Sequence, residues 1–314
     1  MGIKIPTDIR RLQPRSVWAR PLIMLFKFVG VITRPFSYRG VGSLSRYMAK
    51  FLPSIPIEVS LGNSARIEFN LLDYYWSRLI YPNFRYEPEI ANLFEQSLPE
   101  DFLFIDCGAN IGFWSIMVSG QLPDNRVVAI EAAPSTFEVL RTNFEINNRR
   151  FKIVQRAIAD SSGQTVSFST NTGHAAAHVV ANESSDTAQR VVEVETVTID
   201  DVVANEDDLS AHLPVVLKLD VEGFEIEALK GAMETISNRD VVVIYECHGA
   251  DRDCLATKYL LDLGIFRIYA IDTGVSEVRT TSDALKIKTK IEKGYNFVAV
   301  KPSFDPFLHA ATIS

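Results

Sequence analysis

A glycine-containing turn directly follows a strongly apolar stretch and carries groups that could hold a nucleotide-like cofactor. Its polar and glycine residues are spaced two apart: Asp106, Gly108, Asn110 and Gly112. Glycine lets the backbone approach a ligand closely and adopt conformations that a Cβ atom forbids. The helix predicted to begin at Gly112 would direct the positive end of its dipole at a polar or anionic group. This pattern predicts a ligand-binding turn between a strand and a helix.

A second apolar segment, over residues 127–131, ends in a carboxylate 25 residues after Asp106. A carboxylate at the tip of such a strand could accept hydrogen bonds from both hydroxyls of a ribose, in NAD or in S-adenosylmethionine. The NAD fingerprint G-x-G-x-x-G is absent because Asn110 stands at its second glycine. Enzymes that use S-adenosylmethionine commonly place an acid where Asp106 lies. We therefore predict S-adenosylmethionine as the cofactor, in a site that comprises Asp106, Gly108, Ala109, Asn110, Gly112, Glu131, Ala132 and Ala157.

Two further carboxylates, Asp220 and Glu222, lie at the end of the apolar strand predicted over residues 215–220. Open α/β sheets bind ligands at the carboxyl ends of their strands, so both acids are candidates for the active site. Glu222 and Glu225 could instead complement the dipole of the following helix, which contributes about 0.3 to 1 kcal/mol per charge. His248 lies just beyond the strand predicted over 241–246, on the same edge, where a structural and a catalytic role are both open.

These motifs require a sheet in which strands and helices alternate. From residue 102 onward the chain has that pattern, which is typical of a mostly parallel α/β sheet. Strands are predicted over residues 103–106, 127–131, 153–154, 215–220, 241–246, 266–270 and 296–300. Helices are predicted over residues 112–119, 135–147, 225–236 and 254–263. Alternating stretches at 165–169 and 191–197 interrupt the order and predict an inserted hairpin.

Four blocks of sequence between residues 87 and 248 resemble the FkbM-type methyltransferases. The blocks are residues 104–112, 131–134 with Leu140 and Asn143, 197–200, and 217–225 with 229–231. The last block is the most specific because it contains the pattern K-x-D-x-E-G-x-E. Family members usually carry Glu-Pro after the second strand, whereas this chain has Glu131-Ala132-Ala133-Pro134, which we interpret as a small change in the loop.

The resemblance implies a Rossmann-like fold with a mostly parallel seven-stranded sheet in the order 3-2-1-4-5-7-6, the last strand being antiparallel. It also implies methylation by S-adenosylmethionine, mostly at a hydroxyl oxygen, on a sugar, glycolipid or polyketide-like metabolite. A hydroxyl is a weak acid, so the transfer needs a base, for which Asp220, Glu222 and His248 are the candidates. The alternatives are an NAD(P)-dependent oxidoreductase of similar fold and a membrane-associated binding protein without turnover.

Basic residues are concentrated at the N-terminus, although the whole chain carries a net charge of −7. Residues 1–60 hold ten Lys or Arg against two acids, so the remainder is strongly acidic, which argues against a nucleic-acid partner. The apolar run at 21–32 is too short to span a bilayer, which takes about 20 residues. We predict peripheral membrane contact through residues 10–39, with Trp18, Phe26 and Phe28 at the interface. A helix packed on the domain is the alternative.

Residues 73–89 carry six aromatic side chains, which could line a ligand mouth or pack against the sheet. We predict an N-terminal extension over 1–54, a strand pair with an aromatic cap over 55–100, and a Rossmann-like domain over 101–314. Three cysteines are too few for a disulfide framework, which favours the reducing cytoplasm, at the inner face of a membrane if the contact forms. His174 and His178 lack a third ligand, so no metal site is predicted.

Overall fold

The computed structural model describes residues 9–14, 19–36, 38, 40–62, 65–169, 178–179, 191–206, 212–221, 223–272, 274–291 and 293–304. In chain order the strands are β1 (Ile9–Pro14), β2 (Pro56–Leu61), β3 (Ala65–Asn70), β4 (Leu103–Cys107), β5 (Val127–Ile130), β6 (Lys152–Val154), β7 (Ala157–Ile158), β8 (Thr165–Ser169), β9 (His178–Val179), β10 (Val191–Val197), β11 (Val215–Leu219), β12 (Val241–His248), β13 (Arg267–Ala270), β14 (Ser276–Val278) and β15 (Gly294–Val300). The α-helices are α1 (Ala19–Thr33), α2 (Val41–Ala49), α3 (Pro88–Gln96), α4 (Phe113–Ser119), α5 (Pro134–Ile146), α6 (Ile199–Ala204), α7 (Glu225–Lys230), α8 (Met233–Asn238), α9 (Leu255–Asp262) and α10 (Thr281–Ile287).

The central sheet has eight strands in the order β14-β13-β15-β12-β11-β4-β5-β6. Strands β12, β11, β4, β5 and β6 are parallel to one another, and β15 lies antiparallel between β12 and β13. Read from β6, the seven strands other than β14 follow the chain order 3-2-1-4-5-7-6. The predicted α/β class and mostly parallel sheet are confirmed, and β14 adds an eighth strand at the edge, where only seven strands were predicted.

The sheet is buried on both faces because its strands are apolar at consecutive positions. In β4, for example, Phe104 packs into one core, whereas Leu103 and Ile105 pack into the other. Helices α3, α4 and α5, with the N-terminal segment, cover the first face, and α6 to α10 cover the second. Continuous apolar runs of this kind are expected of parallel strands with helices on both sides.

The helix predicted over residues 225–236 is in fact two helices, α7 and α8. Gly231 ends α7 in close contact with another segment, since a Cβ atom there would lie 2.2 Å from the backbone oxygen of Ala159. The carboxylate of Asp200 then accepts hydrogen bonds from the backbone N–H groups of Glu234 and Thr235, at 3.0 and 2.7 Å. These bonds satisfy the first turn of a new helix, which is why the chain restarts at α8.

The strand pair predicted within residues 55–100 is present as β2 and β3, and β1 extends it antiparallel to β2. The predicted boundary at residue 54 therefore runs through a single three-stranded sheet. Asn143 of α5 and Asn147, which caps that helix, attach this sheet to the main domain. Asn143 Oδ1 accepts from the Glu68 N–H at 2.7 Å, and Asn147 Oδ1 accepts from the Arg66 N–H at 3.0 Å.

The predicted inserted hairpin is confirmed by β8 and β10, which pair antiparallel between Thr165–Ser169 and Val191–Val197. Strand β7 joins β10 in parallel and connects the hairpin to the segment after β6. His174 lies outside the described residues, and of His178 only the backbone in β9 is described.

Candidate active site

A cavity of about 780 Å³ opens at the carboxyl ends of β4, β5, β11 and β12, a size typical of sites for small ligands. Most of the residues predicted for the site line this cavity: Asp106, Gly108, Ala109, Asn110, Glu131, Ala132, Ala157, Asp220 and His248. Gly112 does not line it, and Glu222 lies outside the described residues. The strand ends thus bring together side chains that are more than 140 positions apart in sequence.

Glu131 is held in place by two backbone N–H groups. Asn110 donates to its Oε2 at 2.9 Å and Ala133 to its Oε1 at 2.8 Å, and the residue is 8% exposed. Burial raises its pKa to about 7, against these two hydrogen bonds, which favour the charged form. Each carboxylate oxygen can accept more than one hydrogen bond, so both could still accept a ligand hydroxyl.

The steric requirement for glycine at position 108 comes from a neighbouring strand. Gly108 has a φ of +77°, and a Cβ atom there would lie 1.9 Å from the backbone oxygen of Asp220. The Asp220 N–H in turn donates to the Cys107 carbonyl at 3.0 Å. The turn therefore joins the ends of β4 and β11. Glycine was predicted here because it allows the backbone to approach a ligand, but the close contact that requires it is with the backbone of the neighbouring strand end.

Asp106 has a structural contact within the predicted cofactor turn. Its Oδ2 accepts from both the backbone N–H and the hydroxyl of Ser115, at 3.1 and 2.6 Å, and the residue is 1% exposed. It thereby satisfies the first turn of α4, which follows Gly112. Burial raises the pKa of Asp106, and the Lys218 ammonium and the Ser115 hydroxyl oppose that rise.

Lys218 is a functional candidate that the sequence analysis missed. Its Nζ lies 2.9 Å from Asp220 Oδ2, and its side chain is 6% exposed against 33% for Asp220. Burial alone would lower the Lys218 pKa, but Asp220, Glu87 and Asp106 together raise it, so the ammonium stays charged. The available signal was a single lysine inside an otherwise apolar strand, two residues before an acid and therefore on the same face.

Glu87 is the second residue that was missed, and it enters the cavity from outside the sheet. It precedes Pro88 at the start of α3 with a φ of +38°, a conformation that is rare for residues other than glycine. Trp114 Nε1 donates a hydrogen bond to its Oε2. Burial raises the pKa of Glu87 to about 7; Lys218 opposes this rise and Asp220 adds to it. A carboxyl group of this kind exchanges its proton near neutral pH.

The aromatic segment serves both of the roles that the sequence left open. Tyr75, Trp76 and Tyr86 line the cavity; the two tyrosine hydroxyls lie 2.9 Å apart, and Trp76 Nε1 donates to Asn110 Oδ1 at 3.2 Å. Burial raises the pKa of both tyrosines, which keeps their hydroxyls neutral. Tyr81 and Phe84 pack instead against Tyr38, next to the N-terminal helices.

His248 lies at the exposed end of β12, on the rim of the cavity. Its Nδ1 accepts a hydrogen bond from the Ala250 N–H at 3.2 Å. A neutral imidazole with Nδ1 as acceptor carries its proton on Nε2, so in this arrangement the ring offers a donor to a ligand.

The charges of the cavity suit a cationic cofactor with a ribose. Asp220 and Asp106 both disfavour ionisation of Glu131, and Asp220 also disfavours ionisation of Asp106, whereas the buried Lys218 ammonium favours the charged form of Asp106. A positively charged ligand would relieve this repulsion. Glu131 offers acceptors for ribose hydroxyls, so the residues present fit S-adenosylmethionine, whose reactive centre is a sulfonium cation.

Comparison with known proteins identifies similar sequences and structures. A family model described as the methyltransferase FkbM domain matches residues 106–268. The chain is 28% identical over 200 residues to methyltransferase sdnD of Sordaria araneosa, covering 54% of this chain and 75% of that protein. It is 28% identical over 195 residues to the hexuronic acid methyltransferase AglP of Haloferax volcanii, covering 62% and 74%. The solved structure of methyltransferase FkbM from Methylobacillus flagellatus matches at 16% identity and a TM-score of 0.37, over 64% of this chain and 44% of that one.

Proposed function

The chain belongs to the FkbM methyltransferase family and is therefore a methyltransferase, and we propose that it transfers a methyl group from S-adenosylmethionine to a hydroxyl oxygen. The observation that carries this proposal is the carboxylate of Glu131, which Asn110 and Ala133 fix at the mouth of the glycine turn. The family assignment favours this reaction over the NAD(P)-dependent oxidoreductase and over the binding protein without turnover.

The proposed cofactor site lies along β4 and β5. Glu131 would accept the ribose hydroxyls, and the turn of Gly108, Ala109 and Asn110, with Ala132 and Ala157, would enclose the adenosine. Gly112 contributes indirectly, because it starts α4 with a φ of +89°. Asp106 would place negative charge towards the cationic end of the cofactor. When bound, S-adenosylmethionine supplies an electrophilic methyl group, so the protein has to align the acceptor and exclude water.

Removal of the hydroxyl proton is the step that the side chains of this cavity can assist. We propose Glu87 as the base, because Trp114 occupies its Oε2 and leaves Oε1 to take the proton as the bond between oxygen and methyl forms. Asp220, held by Lys218, would orient the acceptor hydroxyl. His248 would donate from the rim, and Glu222 stays a predicted candidate from the sequence.

For the acceptor we propose a sugar, a glycolipid or a polyketide-like metabolite. The name of the relative from Haloferax volcanii gives hexuronic acid as its substrate, which supports an acceptor with several hydroxyls. Three buried free cysteines and the basic N-terminal segment favour action in the cytoplasm, at the inner face of a membrane.

Calorimetric titration of the full chain with S-adenosylmethionine, S-adenosylhomocysteine and NAD tests the proposal. We expect both adenosyl ligands to bind and NAD not to bind. Binding of NAD alone would support the oxidoreductase, and binding of none of the three would support a protein without cofactor. Methyl transfer from labelled S-adenosylmethionine to a panel of sugars and glycolipids then identifies the acceptor class.

A further inference from the structure

Helix α1 has two apolar faces, of which the domain covers one. Its buried side consists of Ala19, Ile23, Phe26 and Gly30, spaced as one stripe along the helix. Gly30 packs so closely that a Cβ atom there would lie 2.7 Å from the Tyr81 ring. The alternative interpretation, a helix packed on the domain, describes this side of α1. The position predicted for Phe26 at a membrane interface is wrong, since Phe26 is 1% exposed. Trp18 lies outside the described residues.

The opposite side of α1 exposes five large apolar side chains. Their exposed fractions are 71% for Met24, 42% for Leu25, 63% for Phe28, 55% for Val31 and 53% for Ile32. A soluble surface carries isolated apolar residues routinely, but a contiguous row of this length on one helix marks an interaction site.

Helix α2 contacts α1 and, together with the turn that follows it, exposes an aromatic pair. Tyr47 and Phe51 are 62% and 70% exposed, and their ring centroids lie 5.2 Å apart. Gly42 and Arg46 of the same helix pack on Tyr74, so α2 is anchored to the aromatic segment that also supplies the wall of the cavity. We call the exposed residues Met24, Leu25, Phe28, Val31, Ile32, Tyr47 and Phe51 the apolar patch.

The segment of sequence that carries the apolar patch is rich in cations and contains no acid. Between Asp8 and Glu58 there are nine Lys or Arg and no Asp or Glu. The exposed cations among the described residues of this segment are Arg20, Lys27, Arg34, Arg46 and Lys50. Arg20 and Lys27 are seven residues apart and therefore lie along one edge of the α1 face. A membrane with anionic headgroups complements both the apolar and the cationic part of this surface.

We propose that the apolar patch is a membrane-binding surface that seats the protein on an anionic bilayer. In this proposal α1 lies along the bilayer surface with the apolar patch in the lipid. No helix in the described part of the chain is long and apolar enough to cross a bilayer. A second copy of the chain is a weaker match, because two such surfaces would bring like charges together. Helix α1 contacts the segment Trp76–Ile80, and Trp76 lines the cavity, so this placement brings one wall of the cavity near the lipid.

The apolar patch supplies the residues that would hold the protein at the membrane location proposed above, and vesicle binding can be measured without an assay of methyl transfer. Full-length protein is sedimented with vesicles of pure phosphatidylcholine and of equimolar phosphatidylcholine and phosphatidylglycerol. We expect binding to the anionic vesicles only, weakened by high salt. The double variant Met24→Gln/Phe28→Gln should lose about tenfold or more in partitioning, since two large side chains no longer enter the lipid. Lys27→Gln should lose about fivefold.

The matched control is Leu255→Gln/Val275→Gln, which alters two exposed apolar residues, each 51% exposed, away from the apolar patch. This control should partition like the unaltered protein, and both double variants should keep the unaltered thermal stability and cofactor affinity. Equal partitioning of the two double variants would overturn the proposal. A second result would also overturn it: the unaltered protein does not bind vesicles but forms a homodimer, detected by sedimentation velocity, and Met24→Gln/Phe28→Gln dissociates that homodimer. If the unaltered protein binds anionic vesicles but does not bind S-adenosylmethionine, that result would count against the proposed enzyme and not against the membrane-binding surface.

Discussion

The ammonium of Lys218 lies 2.9 Å from Asp220 Oδ2, at the end of the central strand β11. The ammonium also interacts electrostatically with Asp106 and Glu87, so one buried cation stabilises the charged forms of three acids from three parts of the chain. Such a pair adds little net stability by itself, but removing one partner leaves a buried charge without compensation. The electrostatics of the cavity therefore depend on a residue that the sequence analysis did not identify.

We predict that Lys218→Met lowers the free energy of unfolding by about 3 kcal/mol at pH 8, where the surrounding acids are ionised. The double variant Lys218→Met/Asp220→Asn should recover part of the loss, because it also removes a charge. Urea denaturation of both variants and of Asp220→Asn measures the coupling. A single variant as stable as the unaltered protein would show that the carboxylates are adequately solvated without Lys218.

Glu131 should determine cofactor affinity. Loss of a charge-assisted hydrogen bond costs about 1.5 to 3 kcal/mol, so Glu131→Ala should weaken binding of S-adenosylhomocysteine roughly 10- to 150-fold. Calorimetry gives the affinity, and Glu138→Gln on the exposed side of α5 is the control that should bind normally. Unchanged affinity in a folded Glu131→Ala protein would remove this residue from the site.

Two glycines with the same backbone conformation should differ sharply in their tolerance of alanine. Gly108 and Gly163 both have a φ of +77°, but a Cβ atom at 108 meets the Asp220 oxygen at 1.9 Å, whereas at 163 nothing lies within 4 Å. Gly163→Ala should cost only the backbone strain, about 1 kcal/mol. Gly108→Ala should cost about 2 kcal/mol more, since the ends of β4 and β11 must separate. Thermal denaturation compares the two, and equal losses would contradict the steric explanation.

Glu87 should make stability fall as the pH rises. The unfolded chain releases this proton around the ordinary pKa of 4.5, whereas the folded protein retains it to about pH 7. The free energy of unfolding therefore decreases between these values, by up to about 3 kcal/mol, and levels off above pH 7. Glu87→Gln cannot ionise, so its stability relative to the unaltered protein should increase over that same window. A difference that does not change from pH 4 to pH 8 would show that Glu87 has an ordinary pKa.

Glu87→Gln should also slow methyl transfer by about 10² to 10⁴, with cofactor affinity unchanged, if Glu87 is the base. The rate of the unaltered enzyme should rise with pH through about 7, because the ionised form accepts the proton. Trp114→Phe removes a hydrogen bond that favours the charged form and should move this rise to higher pH. Asp220→Asn, Glu222→Gln and His248→Ala are measured for comparison. If Glu87→Gln transfers methyl groups at a near-normal rate and one of these three variants is inactive, the residue changed in that variant is the base.

Most of the central sheet and the glycine turn after β4 could be predicted from local sequence. A strand buried on both faces, such as β4, appears as an unbroken apolar run, and the glycine spacing that follows allows few alternatives to a turn. Because parallel strands end at one edge, Asp106, Glu131 and Asp220 could be assigned to the same cavity without knowledge of their distances. The reason for glycine at 108 could not be predicted, since the atom that excludes a side chain belongs to Asp220, 112 residues later.

The sequence by itself determined that residues 21–32 form an apolar run in a basic segment, but only the tertiary structure decided that this run lies in the helix α1 and which side of it is covered. A helix with apolar residues on both sides gives no periodic signal that separates a core face from an exposed one. The choice follows from the position of Tyr81, against which Gly30 packs. Glu87 and Lys218 were likewise invisible as partners, because 131 residues separate them in the chain. Glu87 interacts electrostatically with Lys218, and burial raises the pKa of Glu87, only because the folded chain packs the aromatic segment over the ends of the strands.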